Sequence, residues 1–352
     1  MNCEIKTDII SLKGAVNKIS TASNPVLVIG DVMLDRYLYG KVDRISPEAP
    51  IPVVHIKEEI SKAGGAANVA LNLNALKQNV DLIGVVGNDN RGKDFINILN
   101  DNKLNIEYII TDETRETTSK TRIIANGKQQ ILRIDRENTE DIKSNIENQI
   151  INMIDSSIEQ KKYKAIAISD YNKGLITKNI ARYIIDKSKK LNIPVLLDSK
   201  TIHYRQYKGI GLIKPNQKEC SILLGIENDD EIWNDKPKIK NYLKKLKTEL
   251  DVKDIIVTRG EHGLYIYKND ELISIPAQVH SVYDVTGAGD VTMAWLTAGI
   301  AFDLELLISC ILASQAASLS VTKLGATVIT TNELEEYYEK FRSDVQIISY
   351  RC

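Results

Sequence analysis

Val26-Leu27-Val28-Ile29 is a short apolar run closed by Gly30-Asp31, and such a run bounded by a turn signal predicts a buried strand with a carboxylate at its carboxyl end. The pattern recurs at 82–87, 165–170, 195–198, 211–216 and 255–260. Between several of these runs, apolar residues at helical spacing predict helices at about 66–77, 91–102, 177–191, 236–250 and 303–319, and Asp8 to Ile19 reads as a short amphipathic helix. Strands alternating with helices predict an α/β fold, a doubly wound and mostly parallel sheet flanked by helices.

Two stretches break this rhythm. Arg36–Ile60 contains prolines 47, 50 and 52; in Ile106–Asp135, the β-prone runs Thr118–Ala125 and Gln129–Asp135 flank Asn126-Gly127-Lys128, a hairpin signal. Neither has the period of a core helix. Both are expected to leave the main sheet as a small β-sheet lid, with strands from about 36–62 and 105–135; edge strands of the main sheet are the alternative. The expected organisation is a helical extension over 1–24, one domain over 25–341 that carries the lid, and a tail over 342–352.

Composition narrows the partners. Across 352 residues, 46 basic side chains stand against 47 acidic ones, which lacks the electrostatic footprint of a protein bound to nucleic acid or an anionic membrane. A small-molecule partner is favoured. The four cysteines, at 3, 220, 310 and 352, have no CxxC spacing and the four histidines are scattered, so neither a zinc site nor a disulfide framework is suggested and a reducing cytoplasm fits. No basic stretch followed by an apolar core opens the chain, and no transmembrane span is found.

The chemistry-bearing strings are rich in glycine. Asp284-Val285-Thr286-Gly287-Ala288-Gly289-Asp290 runs into the apolar segment Val291–Ile300, so a small-residue turn opens a buried helix. The unpaired amides and the dipole of a helix start attract anions, which marks Gly287, Ala288 and Gly289 as an anion hole. An aspartate at such a mouth needs a task. Proton abstraction from an incoming hydroxyl is one, and capping the helix is the other. Gly64-Gly65-Ala66-Ala67-Asn68 precedes a second apolar helix, where glycines let a polyhydroxylated ligand approach and Asn68 offers a donor and an acceptor; plain helix–sheet packing explains it equally.

Gly87 to Asp94 comes close to a phosphate-binding P-loop, but Asp94 stands where Ser or Thr must hold magnesium, so that reading is rejected. Lys214-Pro215-Asn216-Gln217-Lys218-Glu219 puts Asn216 and Glu219 three apart at a helix start. That pair can hold hydrated magnesium, or form a capping box.

Together these strings resemble the ribokinase-like (PfkB) carbohydrate kinases, whose signatures are a Gly-Gly region near the N-terminus and Asp-x-x-Gly-Ala-Gly-Asp near the C-terminus. The resemblance runs from about residue 25 to 335 and implies the ribokinase-like fold, ATP and Mg2+ as cofactors, and Asp290 as catalytic base. Asn216 to Glu219 matches the family's Asn-x-x-Glu magnesium motif, and Thr258-Arg259-Gly260-Glu261-His262-Gly263 resembles its nucleotide-binding loop. Lys214, Asn216, Glu219, Thr258, Arg259, Gly260 and Gly263 are thereby implied at ATP, with Asn216 and Glu219 on the metal through water.

Within the family, Gly30 to Tyr37, Arg44 to Val54 and Ser169-Asp170-Tyr171-Asn172-Lys173-Gly174 resemble the kinases of D-glycero-D-manno-heptose 7-phosphate. That resemblance implies phosphorylation of the anomeric hydroxyl, a homodimer through the lid, and a separate adenylyltransferase for the next step toward ADP-heptose and lipopolysaccharide. It implies Asp35, Gly64, Gly65, Asn68 and Asp170 around the sugar, with Lys120, Arg122, Arg133 and Lys173 for its 7-phosphate; as isolated lid charges these cations can equally be solvated surface residues. Asp198-Ser199-Lys200 replaces the usual Asp-Pro-Lys, Ala63 precedes Gly64-Gly65 in place of proline, Val291 follows Asp290 in place of threonine, and Ser314-Gln315 falls where relatives often carry an Asn near adenine. A kinase of another sugar, or an inactive sensor on this fold, is the alternative.

Overall fold

The runs read as buried strands lie side by side within one eleven-stranded sheet. The computed structural model describes residues 3–126, 129–200, 204–277, 282–323, 325–340 and 347–351. The spatial order of the sheet is Cys3–Thr7, Ile347–Arg351, Glu271–Ile275, Leu264–Lys268, Asp254–Thr258, Leu212–Ile213, Val195–Ser199, Ala165–Asp170, Pro25–Gly30, Asn79–Gly87 and Ile109–Asp112. From Asp254–Thr258 to Ile109–Asp112 each pairing is parallel, and the other flank is antiparallel.

Parallel strands covered on both faces are apolar at successive positions because both sides are core. Val26, Val28, Ala165 and Ala167 enter one core layer, while Leu27, Ile29, Ile166 and Ile168 enter the other. Helices Ala66–Ala75, Ala288–Ala301 and Leu306–Ser320 pack into the first layer; Ser144–Lys161, Lys178–Leu191 and Lys236–Leu250 pack into the second. Ala288–Ala301 is apolar nearly all round, as a helix enclosed between others must be, and buries Val291, Met293, Trp295 and Leu296 completely. Truncating Trp295 to Ala would cost about 3–5 kcal/mol, the usual range for a large buried aromatic.

Several expectations are corrected by the geometry. The run at 211–216 forms only the two-residue strand Leu212–Ile213: Pro215 has no N–H for a ladder, and Asn216 turns the chain into helix Gln217–Leu224. The unpredicted helix Ser144–Lys161 carries Ile146, Ile150, Ile154 and Ile158 at four-residue spacing on its buried face. The termini are more than a helical extension and a tail, because Cys3–Thr7 and Ile347–Arg351 pair with each other and extend the large sheet. Between them, helix Ile9–Thr21 is capped by Asp8, which accepts from the Ser11 amide at 2.7 Å, and buries Leu12, Val16 and Ile19.

Pro52–Gly65, Val32–Ile45, Ser119–Ala125 and Gln129–Arg136, in that order, form a separate four-stranded sheet. Ile109–Asp112 was grouped with them in sequence but belongs to the large sheet, paired in parallel with Gly84–Gly87 and burying Ile110 and Asp112. Gly127 and Lys128 of the hairpin turn lie outside the described residues; the strands they join are antiparallel. Among the described residues, no helix is long and apolar enough to cross a membrane.

Candidate active site

The carboxyl ends of the central parallel strands converge on the start of helix Ala288–Ala301. Gly287 precedes it with φ of 81°, and a Cβ there would stand 2.9 Å from Asn68 Nδ2, so only glycine lets the two motifs touch. Asn68 Nδ2 donates to Asp290 Oδ2 at 2.9 Å, and the Tyr171 hydroxyl donates to Asp290 Oδ1 at 2.8 Å. Asn72 Nδ2 donates to the Asn68 carbonyl oxygen at 2.9 Å and to its Oδ1 at 3.3 Å, which leaves the Asn68 amide nitrogen turned toward Asp290.

Asp290 is 4% exposed. Burial pushes its carboxyl up to about 6 against the pull of Asn68 and Tyr171, with Asp198 adding to the rise and Lys200 opposing it. Its oxygens are held by side chains from two other elements, so the capping alternative does not describe it.

Gly289 lies over a second cluster. A Cβ on it would be 3.9 Å from Asp198 Oδ2 and 4.0 Å from Lys214 Nζ. Lys214, 2% exposed, pairs with Asp198 at 2.8 Å, and Lys200 bridges Asp198 at 3.2 Å and Glu219 at 3.0 Å while standing 5.7 Å from the Tyr171 ring centroid. Burial alone would raise the Asp198 carboxyl, but the two lysines hold it below its ordinary value. Two ammonium groups beside a helix start make a candidate anion site, although the Ala288 amide donates to the Val285 carbonyl oxygen at 3.3 Å.

On the nucleotide side the residues divide. Asn216 and Glu219 form a complete capping box, each accepting the other's backbone N–H at 2.8 Å, and the second Glu219 oxygen meets Lys200. Among the described residues no group of three or more His, Cys, Asp or Glu side chains gathers that could hold a metal ion. The Arg259 side chain is buried, donates to Gln217 at 2.9 Å and Asn234 at 3.0 Å, and lies 4.5 Å from the Tyr265 ring centroid, so it also pins its loop to the core. Gly263, at φ 81°, is required by packing, since a Cβ would meet the Ile275 carbonyl oxygen at 2.0 Å. Gly260 faces open space, and Thr258 bridges to Asn216 through backbone. Gln315 is buried and accepts from the Tyr338 hydroxyl.

On the sugar side, Gly64 and Gly65 admit close neighbours: added Cβ atoms would meet Asp35 Oδ2 at 2.1 Å and the Asp31 carbonyl oxygen at 2.4 Å. Asp35 is buried in an ion pair with Arg122 at 2.6 Å, whose guanidinium lies 5.2 Å from the Tyr37 ring centroid. Register puts Lys120 opposite Asp35, Arg122 opposite Tyr37 and Arg133 opposite Arg122, so these cations share one face of the small sheet. All are paired: Lys120 with Asp135 at 3.0 Å and Glu137 at 3.3 Å, Arg133 with Asp135 at 2.9 Å, and Lys173 with Glu137 at 2.8 Å.

Asp170 is buried and its carboxylate accepts from Asn172 N, Ser199 Oγ and the Tyr207 hydroxyl. Tyr171, Asp198 and Lys200 are the site residues that sequence reasoning quoted without giving a role. The P-loop rejection agrees with the geometry, where Asp89 caps helix Asn90–Asp101 through the Gly92 amide at 2.8 Å.

A mostly parallel sheet flanked by helices, joined to a small second sheet, is the ribokinase-like α/β fold, and its carboxyl edge here holds a buried carboxylate beside a helix start and two ammonium groups. The chain belongs to the pfkB family of carbohydrate kinases, whose pattern matches residues 23–332. It is 40% identical over 319 residues to the bifunctional protein HldE of Nitratiruptor sp., covering 90% of this chain and 65% of that one. With the bifunctional protein HldE of Helicobacter hepaticus it shares 37% over 328 residues, covering 93% and 66%. The chain therefore spans about 65% of the length of the curated relatives it matches.

Among solved structures, the ribokinase of Arabidopsis thaliana complexed with ribose and ATP is similar at a TM-score of 0.70 and 20% identity, covering 90% of this chain and 98% of that one. Phosphofructokinase-2 of Escherichia coli in complex with potassium gives 0.72 and 16%, covering 92% and 100%. At these identities the likeness is one of fold.

Proposed function

We propose that this chain transfers the γ-phosphoryl group of ATP to the anomeric hydroxyl of D-glycero-β-D-manno-heptose 7-phosphate, giving the 1,7-bisphosphate and ADP. The observation that carries the reading is Asp290, buried and held by Asn68 and Tyr171 at the mouth of the Gly287–Gly289 turn. Asp290 takes the acceptor proton as the hydroxyl oxygen bonds to the γ-phosphorus and the bond to the bridging oxygen of ADP breaks. Each carboxylate oxygen has a second lone pair free for this. The helix-start amides, Lys214 and Lys200 face the phosphate charge, and phosphoryl transfer depends mainly on such positioning and neutralisation. Mg2+ when bound supplies further neutralisation of the phosphates, with Asn216 and Glu219 holding its water shell.

The cationic face of the small sheet suits the substrate's own phosphate, which exchanges places with the Asp135 and Glu137 carboxylates. The opposite face leaves Leu132 and Ile134 exposed, and in this reading it joins two chains as a homodimer. Work on a metabolite with ATP and reduced cysteines fits a cytoplasmic location. The test is a coupled ADP-release screen of the purified chain against heptose 7-phosphate, ribose, fructose 6-phosphate and other hexose and pentose phosphates. A higher kcat/KM for an unphosphorylated sugar would overturn the substrate. No turnover with any of them would favour a sensor.

A further inference from the structure

We infer that Tyr171 is a positioning residue for the base: its hydroxyl and the Asn68 amide clamp the two oxygens of Asp290 from opposite sides, fixing the carboxylate plane toward the incoming hydroxyl. The inference rests on the kinase reading and goes beyond it.

The clamp is built from the strand outward. Tyr171 follows Ala165–Asp170, and its backbone is held by Asp31, which accepts from the amides of Tyr171 at 2.8 Å, Lys173 at 3.0 Å and Leu175 at 3.2 Å. On the other side Asp170 accepts from the Asn172 amide at 2.8 Å and is itself gripped by Ser199 and Tyr207. Two buried carboxylates thus fix the loop that carries the hydroxyl. Their arrangement explains why Asp31 and Asp170 stand at strand ends where a ligand was expected.

The choice of donor follows from what a base needs. A lysine or arginine at bonding distance would form an ion pair, depress the carboxylate far below neutrality and weaken its pull on a proton. A phenol orients it through a neutral bond. Burial first, and the Asp290 charge next, drive the Tyr171 hydroxyl well above its ordinary value, so it stays a donor throughout the working range. Other charged groups nearby are Asp198, which disfavours the Asp290 anion, Lys200, which favours it from above the Tyr171 ring, and Lys214 beneath Gly289. Asp35 also acts on Tyr171 by its charge.

Tyr171→Phe removes one oxygen and keeps the ring and its contact with Lys200. With the sugar phosphate preferred in the screen, kcat should fall by about tenfold or more, the worth of a hydrogen bond to a charged group, while KM for ATP stays within about twofold. The acidic limb of kcat/KM should move about one pH unit upward, since the ionised base has lost a donor. A direct 13C titration of the Asp290 carboxyl, assigned with Asp290→Asn, reads the same displacement without requiring turnover. If the variant loses thermal stability and rate but both titrations keep their midpoint, Tyr171 is structural only and the clamp is overturned. A wild-type chain that turns over no sugar, yet whose Asp290 midpoint rises in Tyr171→Phe, would remove the kinase reading and support the clamp.

Discussion

Asp290 and Arg122 are both charged side chains of the candidate site, and the fold treats them in opposite ways. Asp290 is met by two neutral donors, an amide and a phenol, and among the described residues no cation stands at hydrogen-bond distance. Arg122 is met at 2.6 Å by Asp35, and Lys120, Arg133 and Lys173 each hold a carboxylate as well. Neutral donors fix an anion at a smaller cost to its basicity than a cation would. Carboxylates keep a cluster of cations folded together until another anion takes their place. In the proposed reading the base is set in advance, whereas the cationic face exchanges one set of ion pairs for another when a phosphate binds.

The sharpest break of this comparison is Asp290→Asn, which keeps the size of the side chain and removes its proton affinity. We expect kcat to fall by roughly 10² to 10⁴-fold, the usual contribution of a positioned general base, with the melting temperature almost unmoved. The wild-type rate should carry the same signature in pH: with the carboxyl at about 6, kcat/KM falls about tenfold per unit below that value because the protonated acid cannot accept a proton. Retention of more than about a tenth of kcat in the variant, smaller than the low end for losing a general base, would move the proton to another acceptor.

Arg122→Ala tests the other half. It leaves the buried Asp35 carboxylate unpaired, so the chain should lose up to about 3 kcal/mol of stability in calorimetry besides raising the sugar-phosphate KM. Lys173→Ala, whose partner Glu137 is more exposed, should raise that KM with little loss of stability. Equal KM values for wild type and both variants would place the phosphate elsewhere.

How much of this was legible in the sequence follows the same division. Val26–Ile29 and Ala165–Ile168 are apolar at each position because both faces are covered, and that pattern reads directly as central parallel strands. Ile109–Asp112 does not: its residues fit an edge strand or a lid equally, and only long-range pairing with Gly84–Gly87 decides. The antiparallel strands Leu264–Lys268 and Glu271–Ile275, and the pairing of the two chain ends, depend on tertiary partners in the same way. In the site, Asp290 was legible because a glycine turn before a buried helix is a local feature. Tyr171 was not, because its role exists only in its bond to a residue more than a hundred positions away. Arg259 shows the converse: its loop has the composition of a nucleotide site, while the contacts of its guanidinium with Gln217, Asn234 and Tyr265 depend on tertiary partners that the loop does not reveal.

Arg259→Ala should cost about 1–3 kcal/mol, from two buried hydrogen bonds and a stacked guanidinium, and should change the ATP KM less than the stability. Denaturant unfolding and initial rates on the same preparation distinguish the two. A large rise in the ATP KM with unchanged unfolding would return Arg259 to the nucleotide.

The smallest expected effect separates cap from metal at Glu219. Its Oε2 accepts the Asn216 amide and its Oε1 meets Lys200, so both oxygens have protein partners at 2.8 Å and 3.0 Å. Glu219→Gln keeps an acceptor for the cap and removes the charge. The Lys200 pair is about a third exposed on the lysine side, so its loss should cost no more than about 0.5 kcal/mol after screening. Glu219→Ala should cost about 1 kcal/mol more, because the capping box opens. If Glu219 also holds the water shell of Mg2+, then Glu219→Gln raises the magnesium concentration for half-maximal rate, since a hydrated cation is held by carboxylate charge and an amide has none. If it is only a cap, Glu219→Gln leaves magnesium dependence alone and Glu219→Ala changes stability alone. A magnesium titration of both variants beside their melting curves decides it, because charge loss is common to the two and cap loss belongs to one.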